Sequence, residues 1–489
     1  MMGREAPLQH KLFYTDFTLE QRVRANHPLR HIAQHIDFDF AYQEVAGTYG
    51  NNGHVSVPPP VVLKLMLLLV LYNVRSEREL MVTLPERLDW LWFLGFDLDS
   101  PTPDHSVLSK ARRRWGETVF RRFFERIVWQ CVEEGLVDGT KIFVDSSLIE
   151  ANACHSSVID THSLRAQLHA RYPELEQRLT EGETTEHAPR GAVNRRYIST
   201  TDPEAAIVAR GKPKLLYQTH RVVDPRAEVI TATEVTRGDV NEAHRLIPLW
   251  EAHQANTGTH AATVVADSKY GTTENFLAAS ERGLAAHIPD LSRYVATRSD
   301  RRGMFGESQF VYDAASDTYR CPAGERLKRK SFHAQRDTID YAAPRKTCAA
   351  CPLRDQCTRS TMGRTITRHV QQATLERMRE RTRSAQARRD IRTRQHLIER
   401  SFARASRFGF DQARWRGLWR VRIQEYLTAT IQNIEVLRRY GGDPRKRPAI
   451  SMMRSLPILT LLTSAVARFL DSCGIPLLIF AGEAEVVAR

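Results

Sequence analysis

A chain of 489 residues with 42% apolar and 26% charged side chains can bury a sizeable core, which excludes both wholesale disorder and a membrane bundle. Its formal charge of +14 comes mostly from arginine, the side chain best shaped for bidentate phosphate contacts. That balance points to nucleic acid as the partner, an ordinary basic enzyme being the plainer alternative. The start, Met1-Met2-Gly3-Arg4-Glu5-Ala6, lacks an apolar signal region, so a cytoplasmic location without membrane attachment is expected.

In chain order, Pro58-Pro59-Pro60 opens an apolar run, Val61 to Tyr72, broken only by Lys64. It is too short for a bilayer, which needs about 20 residues, and reads as a buried helix opened by proline. Ser76 to Glu79 fits a capping box, and Leu88 to Leu94 continues helically to a Gly95 stop. The Thr102-Pro103-Asp104-His105 turn then starts a helix bearing Lys110, Arg112, Arg113 and Arg114, which would suit a helix-turn-helix DNA reader or simply a solvated face. Phe120, Phe123, Phe124, Ile127 and Val128, at 3-4 spacing, predict an inward face. Residues 1–135 are thus expected to form a helical DNA-binding domain.

Lys141 to Ser147 reads as a strand ending on Asp145, and Ala262 to Ala266 as a second ending on Asp267 before Gly271. Either aspartate alone could be a turn cap. Two such carboxylates meeting at one sheet edge would need cations to stay ionised together. Between the two, Ala153 to Lys212 is a polar tract expected to be a mobile surface excursion. Lys214 to Asp224 and Glu228 to Thr236 predict an antiparallel hairpin, followed by a helix over Asn241 to His253. A helix over Thr273 to Glu281 and a strand over Leu284 to Ile288 complete a βββαβαβ order. Residues 291–385 then intervene as an inserted subdomain. In it Cys321, Cys348, Cys351 and Cys357 have the ligand number of a structural Zn²⁺ site, free thiols being the alternative. Helical character returns from Ala385 to Phe402 and from Trp419 to Tyr440. Residues 441–489 read as a linker and an apolar tail, with Arg468, Asp471, Gly474 and Pro476 arguing against a span.

The order βββαβαβ is that of an RNase H-like core, here α/β with a helical front domain and an insertion before the last catalytic helix. Its core would comprise residues 136–290 and 386–440. With Arg75 to Leu80, the Pro103 to Ser106 turn, the Ala266 to Gly271 block and Gln432-Asn433-Ile434, the chain resembles a DDE transposase of bacterial insertion sequences. Within that group it resembles the branch with a cysteine-bearing insertion ahead of the third acid. The resemblance implies that Asp145, Asp267 and Glu399 are the catalytic acids and hold two Mg²⁺. Where relatives carry Lys or Arg seven residues after that Glu, this chain has Ser406, with Arg404 and Arg407 beside it. Lys269, Arg394, Arg400, Arg404 and Arg407 would join the front-domain cations in meeting DNA phosphates. The implied partners are double-stranded DNA, as the element's terminal inverted repeats and the target, and further copies of the chain on that DNA. The implied activity is end cleavage followed by joining of 3′ ends to target DNA. A nuclease without strand transfer and an inactive DNA-binding relative are the alternatives.

Overall fold

The computed structural model describes residues 1–4, 18–50, 53–161, 192–209, 211–290 and 303–442. The acidic run Glu181 to Glu186, the Asp443 to Pro448 linker and the apolar segment from Leu456 to Phe480 lie outside the described residues.

The front of the chain is helical, with helices over Leu19–Arg22, Pro28–His35, Phe40–Val45, Pro59–Leu71, Glu77–Thr83, Leu88–Leu94 and Ser106–Glu133. Pro59–Leu71 is buried at every position except Lys64 and Leu71, as an apolar run without a polar face requires. Ser76 Oγ accepts from Glu79 N at 3.1 Å, so the capping half of the expected box forms. Gly95 ends its helix in the left-handed region at φ 73°. The longest front helix is interrupted at Gly116, whose φ of 67° and ψ of −170° re-aim the segment carrying Phe120, Phe123 and Phe124. Those rings join a hydrophobic cluster that runs on without a break to Phe143 and Val265 of the sheet and to Leu427, Ile431 and Ile434 near the chain's end.

The main sheet is mixed. Its strands are β1 (Lys141–Glu150), β4 (Ala206–Val208), β5 (Lys214–Val223), β6 (Ile230–Arg237), β7 (Thr263–Val265) and β8 (Ala285–His287); β2 (Val158–Asp160) and β3 (Tyr197–Ser199) pair apart from it. The order across the sheet is β6-β5-β1-β7-β8, with β4 also on β5. β5 and β6 are antiparallel to their neighbours, while β7 and β8 run parallel to β1. β1 does not stop at Asp145. Its ladder with β5 continues to Glu150, so Asp145 sits in mid-strand opposite Arg221. Part of the expected excursion is therefore ordered structure: β4 extends the sheet because Ala206 to Val208 pair with Lys214 to Leu216.

Two long helices follow, Ala385–Ser406 and Leu418–Tyr440. The first buries Ala387, Asp390, Leu397, Ile398, Ser401 and Ala405, a 3-4 spaced stripe. Asp390 pins it to the sheet through Lys141 Nζ at 2.9 Å and His287 Nδ1 at 2.7 Å. In the second, Asn433 exchanges both amide bonds with the backbone of Ile230 at 2.8 and 2.9 Å, clamping the start of β6. The insertion is not an irregular excursion: β9 (Val311–Asp313), β10 (Thr318–Arg320), β11 (Arg326–His333), β12 (Thr338–Ala342) and β13 (Thr365–His369) form an antiparallel sheet. Its small core is built on Phe310, Tyr319, Leu327, Tyr341 and Ile366. Among the described residues no helix is long and apolar enough to cross a membrane.

Candidate active site

β1 and β7 are adjacent and parallel, with Phe143 opposite Val265. Two residues further along each strand direction lie Asp145 and Asp267, so the register places the carboxylates side by side. Ser146 N donates to Asp145 Oδ1 at 2.8 Å, and Lys269 N donates to Asp267 Oδ1 at 3.0 Å. Burial pushes the Asp145 carboxyl above the usual range and the neighbouring charge of Asp267 adds to it, against the ion pair with Arg394. Burial and then the charge of Glu242 push Asp267 up in the same way, with Lys269 opposing. The phenol of Tyr270, fully buried beneath them, is raised far above its ordinary value by burial and by Glu242, Asp145 and Asp267 together. Three carboxylates therefore converge on this edge of the sheet, more negative charge than one guanidinium and one ammonium neutralise.

Glu242 was not singled out in the sequence. It follows Asn241, whose side chain caps the next turn, so it reads as an ordinary first-turn acid. In the fold it is 5% exposed, accepts from Ser146 Oγ and, at 3.3 Å, from Gln218 Nε2, and pairs with Lys269 Nζ at 2.5 Å. Lys269 is thus held against the acidic cluster with its side chain half exposed.

Glu399 stands apart from this group. Its helix crosses the sheet with Arg394 on Asp145 and Ser401 on Arg221, and Glu399, about 500° of helical rotation beyond Arg394, is exposed off the buried stripe. Glu425, the other acid that a late catalytic helix offers, is 1% exposed and gripped bidentately by Arg221 at 2.7 and 2.8 Å, which makes it a structural partner. Among the described residues no group of three or more His, Cys, Asp or Glu side chains is placed to hold a metal ion. The carboxylate pair fits divalent cations by its charge, and the third acid is not drawn in.

The candidate DNA contacts divide. Lys110, Arg113, Arg114 and Arg407 are exposed, Arg114 lying over the Tyr49 ring. Arg112, expected on the same reading face, is instead 3% exposed, because its position on the helix faces the core, where it pairs with Glu77 and stacks on Trp415. Arg400 and Arg404 both reach Glu228 in the β5–β6 turn, Arg400 at 2.6 Å. In the insertion, Cys321, Cys348, Cys351 and Cys357 line one cavity of about 30 Å³. Burial raises the Cys357 thiol, Arg364 opposes it, and the other three cysteines raise it further, so all four share one neighbourhood as free thiols.

Residues 17–114 match a family described as "Transposase domain (DUF772)", and residues 320–438 match one described as "Transposase DDE domain". The second match contains Glu399 and all four clustered cysteines; neither contains Asp145 or Asp267. No curated protein matches the sequence. Among solved structures, a piggyBac transposase synaptic complex with hairpin DNA is similar at 9% identity and a TM-score of 0.28, over 93% of this chain and 87% of that one, a likeness too loose to carry an argument.

Proposed function

We propose, on the premise that the chain is a DDE-type DNA transposase of the insertion-sequence kind, that it binds the ends of its element, cuts them and joins the freed 3′ ends to target DNA. The observation that carries this reading is the pairing of Asp145 and Asp267 across β1 and β7, buried together and raised in pKa by one another's surroundings. We read the sheet as an RNase H-like core on the support of its β6-β5-β1-β7-β8 order. Asp145, Asp267 and Glu399 would hold two Mg²⁺, with Glu399 brought in from the flank of the helix whose Arg394 already touches Asp145. Ions at such a site activate water or a 3′-hydroxyl and stabilise the leaving oxygen of an in-line displacement at phosphorus. The protein's own part is to keep the acids ionised and apart from bulk water, with Lys269 at the rim to meet the strand. Incubation with Mg²⁺, DNA bearing the element's terminal repeats and a target plasmid tests the reading: joined products support it. Cutting without joining leaves a nuclease, and binding without cutting leaves an inactive relative.

Binding itself should be strongly salt dependent. The exposed cations Lys110, Arg113, Arg114 and Arg407 would displace counterions from phosphates, and six to ten such contacts lose about 10³- to 10⁵-fold in affinity between about 50 and 200 mM salt. A plot of log affinity against log salt with no slope would remove DNA from the reading. Several copies are expected on one DNA, since two element ends must be handled together.

For the insertion we propose one structural zinc per chain on Cys321, Cys348, Cys351 and Cys357. The donor set fits, and a five-stranded sheet with so few buried rings gains from a staple. Zinc sites in small domains supply about 10–16 kcal/mol of apparent binding energy, ample to fold this one. Elemental analysis should give one zinc per chain, and chelation should expose the β9–β13 backbone to hydrogen exchange. Protein free of zinc with four titratable thiols and an unchanged exchange pattern would refute the site.

A further inference from the structure

The largest cavity near the front helices, about 470 Å³, lies where Arg75 and Arg78 meet His105, Arg112, Arg414 and Trp415. Two of its arginines are in an unusual electrical position. Arg112 is 3% exposed and has Glu77 as its single carboxylate partner, while its Nε and Nη1 have no hydrogen-bond acceptor. Arg414 bonds only to neutral groups, the carbonyls of Val74 at 2.6 Å and Phe408 at 3.1 Å and the amide of Asn73, and its buried Nε is also without an acceptor. Arg75 and Arg78 stand exposed at the rim, and no ion pair ties either one among the described residues. Four guanidiniums thus face one carboxylate, and Glu77 is already occupied by Arg112 and by Trp415 Nε1 at 3.1 Å. Buried cations without anionic partners are costly, and unmet N–H groups beside them add to the cost. A bound anion removes both penalties, and a guanidinium fork suits a phosphate oxygen pair.

The cavity is also connected to the acidic site. Glu150, at the far end of the strand that carries Asp145, pairs through its backbone with Asp411 and Ala413, and Arg414 and Trp415 follow at once. Five residues of strand separate Asp145 from Glu150, about 16 Å, within reach of one DNA strand lying along the edge. We infer that this pocket takes a single phosphodiester of the DNA substrate, a few nucleotides from the bond that is cut. The inference rests on the transposase reading and adds a phosphate anchor at the seam between the helical front and the sheet.

The test uses the full chain and end-bearing duplexes in which one phosphate at a time is replaced by an uncharged methylphosphonate. For wild-type protein, neutralising one position should weaken binding about tenfold or more, the scale of a lost charge-assisted contact. Arg78→Gln, at the exposed rim where folding is not at stake, should bind intact DNA with a log-log salt slope smaller by about 0.9 and should no longer sense that position. Arg112→Met should do the same if it folds. Arg121→Gln, which removes an equally exposed charge elsewhere on the same helix, should keep the position effect. Position effects unchanged in Arg78→Gln would overturn the assignment, and so would stabilisation by inorganic phosphate alone with no DNA position coupled to the pocket. A wild-type protein that binds no DNA would overturn the pocket and the transposase reading together, which is a different result from either.

Discussion

Glu399→Gln protein is expected to bind element ends as wild type does while nicking and strand transfer both fall by several orders of magnitude. The substitution keeps size and hydrogen bonding and removes the charge that a second cation needs. Asp145→Asn and Asp267→Asn should behave alike, because their carboxylates already stand together. Glu399 is the informative case, since its side chain lies outside the buried stripe of its helix and reaches the pair only if that helix turns or bends when DNA arrives. The structure supplies a rival in Glu242, buried against Asp267 and tied to Ser146 and Lys269. The two make opposite forecasts. Were Glu242→Gln to stop cleavage in a protein of normal melting temperature while Glu399→Gln cut at near wild-type rate, the third acid would come from the turn after β6, and no helix movement would be needed.

What the sequence made legible follows from which signals are local. The apolar run of Pro59–Leu71, the Ser76 cap, the Gly95 stop and the alternation of β5 and β6 are each written within a few neighbouring residues, and each formed where expected. Asp145 was recognisable as a strand carboxylate, but its place in mid-strand was not, because Ser146 to Glu150 become strand only through their ladder with β5. The same non-local pairing turned part of the tract after Ala153 into β4. Arg112 sits in a run of cations that looks uniform, and only the docking of Trp415 and Glu77, more than 30 residues away on either side, decides that it turns inward. Glu242 was hidden for the opposite reason: its local context explains it completely as a first-turn acid, leaving no residue of surprise to mark its place beside Asp267.

Arg221→Met should destabilise the protein by about 3–5 kcal/mol, the cost of stranding a buried carboxylate whose partner is removed. Arg221 and Glu425 are among the least exposed side chains in the molecule, joined by two parallel hydrogen bonds, and Thr233 Oγ1 gives Glu425 a third at 2.7 Å. The guanidinium also meets Ser401 O and Oγ at 3.2 Å and lies 4.8 Å from the centres of both Phe402 and Phe410. This one side chain therefore ties β5, directly opposite Asp145, to both long helices, including the one that carries Arg394 and Glu399. Glu425→Gln retains the shape but leaves the Arg221 charge uncompensated, so it should lower stability as well, and cleavage should fall only in step with the folded fraction. The double variant Arg221→Met with Glu425→Leu should recover much of the loss, because replacing both ions by apolar groups of similar volume removes the unpaired charge from each single variant. Denaturant unfolding of the four proteins measures the coupling directly. Additive single and double effects would mean that the pair is not one unit, and a Glu425→Gln protein of full stability that no longer cuts DNA would return Glu425 to the chemistry.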